Sequence, residues 1–563
     1  MLIEIISVSI LLLVVVVLAI PLGKYCARVY AGLPVWSDFL IPLERALYRL
    51  SGIDPQRQMT WKEHLRTMLL LNVVFFIWSL GVVLVQDILP LNPDKIAAME
   101  PTQAFNTAVS FVTNTNLQHY SGETGASYFT QLLVFCFLQF VSAATGMACL
   151  AVVFKATISS QTVELGNFYE YFIKSATRIL LPLSIVLAII LLTNGSPVTF
   201  RGAQSILTLE GDTVQVATGP VAPMVAIKQL GTNGGGYFGP NSAHPFENPN
   251  YLTFAAEWIA ILLIPIALVF AFGYYTGYRR VANVIFTVMM VGFLCLLIPT
   301  IILESMGNPA LTELGVALKA GSLEGKEVRF GAPASAAWGV ATTCTSNGSV
   351  CGMHDSFTPL SGAFLLLGMM LNALFGGVGC GFLNFYVYLI LGVFIAGLMI
   401  GRTPELLGKK LEPKEVKIAA LVFLIHPLLI LSFTALSSYV LTQDPTIAWL
   451  NNPGFHGFSE MLYEFTSASA NNGSGFEGLA DNTPFWNLTC GIIMLLARYL
   501  PLIGPVAIAG LLARKQLVPQ SSGTLRIDTP VFGIVVFSVL VVLSGLAFFP
   551  ALSLGPIAEY FSR

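Results

Sequence analysis

Charge is what this chain has least of. Of its 563 residues only 10% are Asp, Glu, Lys or Arg, against roughly 25% in an ordinary soluble domain. The formal net charge of −2 gives no sign of a nucleic-acid partner, and no basic block of the relevant kind exists. Eight cysteines are scattered, most of them inside apolar runs, so neither a zinc site nor a disulfide framework is indicated. Cys344 and Cys351 could pair on an oxidising face, although two unpaired small residues fit as well. Nucleotide chemistry is missing too. There is no Gly-x-x-x-x-Gly-Lys-Ser/Thr; the nearest run, Gly321 to Lys326, continues with Glu327 and has the wrong spacing. No Asp-Lys-Thr-Gly phosphorylation loop occurs. What remains is 55% hydrophobic, the composition of a polytopic membrane protein.

Ten apolar stretches are long enough to cross a bilayer, starting near residues 2, 65, 128, 172, 252, 281, 360, 418, 484 and 530. The first lacks a basic leader and carries Glu4 ahead of its apolar run, with Lys24 and Arg28 behind it. That pattern suits a first membrane helix with its N-terminus outside, not a cleaved signal peptide. Segments 23–66, 154–178, 279–280, 401–417 and 512–527 hold 7, 3, 2, 5 and 3 Lys/Arg, or 20 of the 28. The positive-inside rule places these segments inside and both termini outside. The outer segment 442–483 has no Lys or Arg at all. Outer segments 195–220 and 306–331 are longer and less apolar, and Val214-Gln215-Val216 in the first suggests a small hairpin.

Between these spans one theme occurs four times. Thr113-Asn114-Thr115-Asn116 is followed by Thr232-Asn233-Gly234-Gly235, Ser346-Asn347-Gly348-Ser349 and Asn471-Asn472-Gly473-Ser474. Anchored on Asn114, Asn233, Asn347 and Asn472, the spacings are 119, 114 and 125 residues. Each copy follows a segment too short to cross a bilayer. Polar turns between helices often read Asn-Gly, but four at near-equal spacing after half-length helices point to a single-chain pore. A dehydrated alkali cation needs rings of oxygen ligands, which backbone carbonyls supply. Gly and Asn tolerate the backbone geometry that aims successive carbonyls at one axis. The expected fold is all-α with about ten transmembrane helices and fourfold pseudosymmetry. Its repeats are 64–155, 172–280, 281–402 and 418–513, with one extra helix at each end (1–63 with its basic loop, and 529–563), in one membrane domain, 1–563. The candidate filter is Thr113, Asn114, Thr115, Thr232, Asn233, Gly234, Ser346, Asn347, Gly348, Asn471, Asn472 and Gly473.

Other residues carry chemistry. The seventh apolar run, Leu360 to Ile400, is too long for one straight span and is interrupted by Gly376-Gly377-Val378-Gly379-Cys380-Gly381. A broken helix at membrane depth is tolerated where it is buried or lines a cavity, so Gly376, Gly377, Gly379 and Gly381 are expected to form a gate below the filter. Reading the run as two spans with a tight turn would put Arg402, Lys409 and Lys410 outside, against the charge rule. Arg498 lies inside the ninth span, where an ionisable group marks function by default. Below the filter it would oppose passive cation flow; alternatively it snorkels, or pairs with a neighbouring helix, for instance with Glu257 or Glu304. Glu123, Glu247, Asp355 and Glu477 follow the four motifs and could concentrate cations at the mouth, or simply be solvated. His426, before Pro427, reads as a packed or kink-associated histidine.

These motifs are specific. Asn106 to Val112 leading into Thr113-Asn114-Thr115-Asn116 resembles the potassium-binding A subunit of the bacterial Kdp potassium-transporting ATPase, in the superfamily of potassium transporters. So do Gly231 to Gly236 with His244-Pro245-Phe246-Glu247-Asn248-Pro249, Met353 to Phe357, Gly401-Arg402-Thr403-Pro404-Glu405, and Pro453 to Glu460. The resemblance covers essentially the whole chain. It implies a non-catalytic, ion-selecting subunit that binds K+ outside the bacterial inner membrane. A P-type ATPase B subunit hydrolyses ATP, a periplasmic C subunit and a small F peptide complete the complex, and ions pass through an intersubunit tunnel. An arginine in the position of Arg498 also occurs in the family. The third motif of the family usually reads Ser-Cys-Gly where this chain has Ser346-Asn347-Gly348; with carbonyls as ligands, coordination is expected to survive. Asn372 stands where the family usually has an acid, a candidate tunnel residue. The rival expectation is a stand-alone potassium channel or symporter of the same superfamily.

Overall fold

The structure, a computed structural model, describes residues 2–308, 311, 314–315, 320–519 and 525–562, with side chains from residue 5. Parts of segments 306–331 and 512–527 lie outside the described residues. Ten helices are long and apolar enough to cross a membrane: Ile5–Tyr30, Trp61–Leu84, Thr130–Ile158, Phe168–Thr193, Tyr251–Thr276, Arg279–Met306, Cys380–Ile400, Pro413–Gln443, Pro484–Ala513 and Pro530–Phe561. They are referred to below as spans one to ten. The chain is thus an all-α, multi-pass architecture. Among the described residues the strands are two short pairs, one of them the expected hairpin, Gln204–Leu207 against Thr213–Val216.

Local sequence fixes where the helices begin. Thr60 caps span two, with Glu63 reaching back to the Thr60 N–H at 2.8 Å. Asn250, Thr483 and Thr529 cap spans five, nine and ten in the same way, satisfying N–H groups that the first turn leaves open. The membrane-facing sides are bare apolar side chains, such as Ile185 and Ile189 of span four and Leu424 and Leu428 of span eight. Lipid replaces core for these residues, and the helical form lets most backbone groups bond within the segment.

Four half-length helices sit between the spans: Pro101–Val112, Val221–Leu230, Ala332–Cys344 and Phe455–Ala470. Three of them pack between the spans that flank them, the third packs between span six and the short helix Pro359–Leu371, and span nine also packs on the first, which closes the circle. The end helices stand outside this circle. Span one lies along span five, close enough that a Cβ on Gly23 would meet Phe270 Cβ at 2.8 Å. The last turn of span ten reaches the fourth half-helix, where His456 Nδ1 lies 3.0 Å from Glu559 Oε2. Both end helices therefore have their free ends on the loop face.

The seventh run is interrupted where the glycines stand. A 13-residue helix, Pro359–Leu371, ends on Asn372 in left-handed geometry (φ 44°), and the spanning helix resumes only at Cys380. Between them Phe375, Gly376 and Gly379 have φ of 70°, 58° and 80°. The segment long enough to cross thus starts near residue 380 instead of 360, because the backbone between leaves helical geometry. All eight cysteines are free, Cys344 and Cys351 among them.

Candidate functional site

Each half-helix is terminated by the same device. One residue takes a left-handed φ: Asn114 at 68°, Thr232 at 48°, Ser346 at 52° and Asn471 at 52°. The next N–H then returns to the carbonyl five residues back: Thr115 to Ser110 at 3.0 Å, Asn233 to Lys228 at 2.9 Å, Asn347 to Thr342 at 3.0 Å, Asn472 to Ser467 at 2.9 Å. These bonds set the correspondence between loops. Asn114 matches Thr232, Ser346 and Asn471, while Thr115 matches Asn233, Asn347 and Asn472. Anchoring the sequences on Asn114 and Asn233 therefore puts the first loop one residue out of step. Letter identity favours pairing asparagines, whereas the backbone is set by the left-handed position, which Asn, Thr and Ser fill in turn. Asn116, not Thr115, stands level with Gly234, Gly348 and Gly473, and Thr113 stands level with Gly231. A β-branched residue such as Thr232 in this region is strained, and such strain collects at functional sites.

The four loops join in a ring. Asn114 Nδ2 donates to the Thr232 carbonyl at 2.7 Å, and Asn347 Nδ2 to the Lys228 carbonyl at 3.3 Å. Asn472 Nδ2 donates to the Thr342 carbonyl at 2.8 Å, and Asn471 Nδ2 to Thr115 Oγ1 at 2.9 Å. Side chains thus link loop one to two, two to three, three to four, and four back to one. At the centre the backbones converge. The Gly234 N–H donates to the Thr115 carbonyl at 3.2 Å. A Cβ on Gly234 would meet the Asn472 carbonyl oxygen at 2.9 Å and Gly473 Cα at 3.0 Å; one on Gly348 would meet Gly234 Cα at 2.7 Å. Four helix C-termini, each carrying partial negative charge, end at this ring of carbonyls. Such an arrangement favours a bare cation.

Behind the ring lies a shell of buried polar groups that sequence reading missed. Lys228, in the second half-helix, is fully buried and ion-paired with Glu247, with further bonds to Asn241 Oδ1 (2.6 Å) and Ser242 Oγ (2.9 Å). Asn241 Nδ2 in turn donates to the Gly234 carbonyl at 3.0 Å, so this ion pair is wired to the loop. Ser349 Oγ donates to Gln229 Oε1 at 2.9 Å, and Gln229 Nε2 donates to Glu257 at 2.7 Å. On the opposite side His119 lies 3.1 Å from Glu464 and 2.7 Å from Asn487 Oδ1. Burial opposes charge on His119, but Asp481 and Glu464 outweigh it and hold its pKa up at about 9. The signal was present: Lys228 and Glu464 are ionisable residues in short apolar helices, the same anomaly that singled out Arg498.

The glycine break and Arg498 come together beneath the ring. The Val378 N–H donates to Thr232 Oγ1 at 2.9 Å, and Gly376 N–H to the Cys344 carbonyl at 2.9 Å. Asn372 Oδ1 accepts from Ser346 Oγ at 2.9 Å. Arg498 donates to the Ser142 carbonyl at 2.8 Å and reaches Cys380 Sγ at 3.0 Å. It pairs with neither Glu257 nor Glu304, which corrects that sequence expectation. Glu304 is 2.9 Å from Lys326, and Glu257 is held by Gln229 and Ser242, both on the loop side of the spans. Asn114, Ser346, Asn372, Asn471, Cys380 and Arg498 line a cavity of about 20 Å³, room for about one water. A second cavity of about 40 Å³, lined by Asn372, Asn384, His426 and Ser469, continues from it between spans seven, eight and nine. His426 is packed as expected, with Nδ1 2.8 Å from Ser469 Oγ and Nε2 3.1 Å from the Met369 carbonyl.

The four acids after the motifs do not form one solvated ring. Glu247 is buried against Lys228, and Asp355 is buried 2.9 Å from His456 Nε2. Glu123 is partly buried and accepts from the Gly239 N–H at 2.8 Å, while Glu477 lies beside Asp355, whose N–H donates to its Oε2 at 3.4 Å. Proximity in sequence to a loop says nothing about which side chain its neighbours will neutralise.

Comparison with known proteins gives one family. A family model described as potassium-transporting ATPase A subunit matches residues 9–561. A "potassium-transporting ATPase potassium-binding subunit" of Flavobacterium johnsoniae is 55% identical over 569 residues, covering 99% of each chain. Subunits of that name from Bacteroides fragilis and Geobacillus kaustophilus are 53% and 46% identical, over 99% and 98% of each chain.

Proposed function

The chain belongs to the potassium-transporting ATPase A-subunit family, and on that premise we propose that it is the potassium-binding, ion-selecting subunit of an ATP-driven potassium importer. The observation that carries this reading is the closed ring of four half-helix C-termini whose loop backbones converge. Carbonyls fixed in that way replace the hydration shell of potassium without supplying a full charge. In structural register the ligating layers are Asn114, Thr232, Ser346 and Asn471, then Thr115, Asn233, Asn347 and Asn472, then Asn116, Gly234, Gly348 and Gly473. The loops face the outside of the bacterial inner membrane, with both termini on the same side, and the four repeats divide the chain at the boundaries read from sequence.

Below the ring, Arg498 and the break at 376–381 act as the barrier to straight passage. The ion turns aside through the cavity that Asn372 and Asn384 share with His426, towards a P-type ATPase B subunit. Asn372 offers an amide oxygen where a carboxylate would bind the ion more tightly, so passage relies on dipoles alone. ATP hydrolysis belongs to that partner, and a periplasmic C subunit and a small F peptide complete the complex. The decisive experiment is an ion-density map of the purified complex in potassium or rubidium. One ion on the axis of the four loops is the expected result, and an ion bound elsewhere overturns the reading. Purification without any ATPase subunit would instead favour a stand-alone channel.

A further inference from the structure

We infer that Asp355, His456 and Glu460 form a binding site for a divalent transition cation of the zinc or manganese class, at the outer mouth and separate from the four-loop ring. His456 and Glu460 are four residues apart on the fourth half-helix and so share one face. Asp355 comes to them from the turn after the third loop, and one ligand atom of each residue lies within 4.8 Å of the others. Glu559, at the end of span ten, lies 3.0 Å from His456 Nδ1 and directs Nε2 towards Asp355 Oδ1, 2.9 Å away. A carboxylate on the far ring nitrogen is the usual way a metal-binding histidine is oriented.

Two further observations point to a cation. Glu460 is fully buried; Asn452 Nδ2 donates to its Oε1 at 2.9 Å, but its Oε2 is buried with no hydrogen-bond partner. A buried carboxylate oxygen left unpaired is costly, and a cation removes that cost. Charge supply is also short. Asp355 and Glu460 face a single imidazole, segment 442–483 contains no Lys or Arg, and nearby Lys326 is engaged 2.9 Å from Glu304. One imidazole with two carboxylates suits Zn2+ or Mn2+ better than calcium or magnesium, which prefer all-oxygen sites. Bound there, the ion would tie the third loop's exit to the fourth half-helix, with Glu559 bringing in the last span.

The site is tested by titrating the purified, detergent-solubilised complex with Zn2+ or Mn2+ at constant potassium. One saturable equivalent with a raised melting temperature is expected. His456→Ala and Asp355→Asn should lose that binding, and Glu559→Gln should weaken it by about tenfold. Absence of saturable binding, or unchanged affinity in His456→Ala, overturns the proposal. X-ray absorption of the zinc-loaded wild type needs no variant: nitrogen and oxygen neighbours at about 2.0–2.2 Å are expected. A sulfur neighbour would place the ion at His119, Glu464 and Cys490 instead, and an all-oxygen shell would exclude His456.

Discussion

At the scale of residues, the loops tolerate little because backbone meets backbone. Gly234 is held where any Cβ meets the Thr115 and Asn472 carbonyls, so Gly234→Asp must displace the groups proposed as ligands and add a carboxylate beside them. A carboxylate selects by field strength, where the proposed filter would select by a fixed set of carbonyl dipoles. The expected result is an assembled complex whose apparent potassium affinity falls by about tenfold or more, ~1.4 kcal/mol, with poorer rejection of rubidium, ammonium and sodium. The cation dependence of ATPase activity in the reconstituted complex reads this, and unchanged affinity and selectivity would remove Gly234 from the ion path. Arg498 has no carboxylate partner among the described residues, so its charge is left facing the cavity below the ring. Arg498→Ala should therefore admit passive potassium flux into proteoliposomes without ATP. An assembled variant with no leak would reduce Arg498 to a brace between Ser142 and Cys380.

At the scale of elements, the half-helices are held from behind by buried ion pairs and not by apolar packing alone. The fourth half-helix is tied to the first loop's exit through Glu464 and His119. Acidic neighbours raise the folded pKa of His119 from 6.5 to about 9. The folded protein then binds this proton more tightly than the unfolded chain does. Its contribution to stability is complete below about pH 6.5 and is lost as pH rises through about 9. The melting temperature should fall across that window, and His119→Gln should flatten the fall. A flat profile in the wild type would mean that His119 is neutral throughout. The interrupted seventh run is bound differently, by uncharged hydrogen bonds. The Asn372 side chain joins it to the third and fourth loops through Ser346 Oγ and the Ala470 carbonyl, so the break and the ring form one mechanical unit.

At the scale of the molecule, the face opposite the loops is fastened by its own basic residues. Lys409 donates to the Ala156 carbonyl at 2.7 Å at the end of span three, and Arg178 binds Asp38 at 2.8 Å and Glu44 at 2.5 Å. The Lys and Arg residues on which the proposed orientation rests thus also tie the connections on that face together. Span one runs parallel to span five, and Glu559 reaches the fourth half-helix. A periplasmic reporter fused to either end should therefore be active, and a cytoplasmic one silent. The opposite pattern would invert the topology and with it the direction of import.

The sequence by itself determined the class and the number of crossings, because hydropathy over some twenty residues and the placement of Lys and Arg act locally. It also marked the four loops, since only Gly, Asn, Ser and Thr readily end a half-helix in left-handed geometry or hydrogen-bond to the backbone there. Tertiary structure decided the rest. The correspondence of Asn114 with Thr232 follows from hydrogen bonds to carbonyls five residues back, which letters do not show. Which acids stay charged and open was likewise invisible: Glu247 and Asp355 were neutralised by Lys228 and His456. Whether a carboxylate meets solvent or a buried cation depends on groups brought together from distant parts of the chain. No local pattern encodes that meeting.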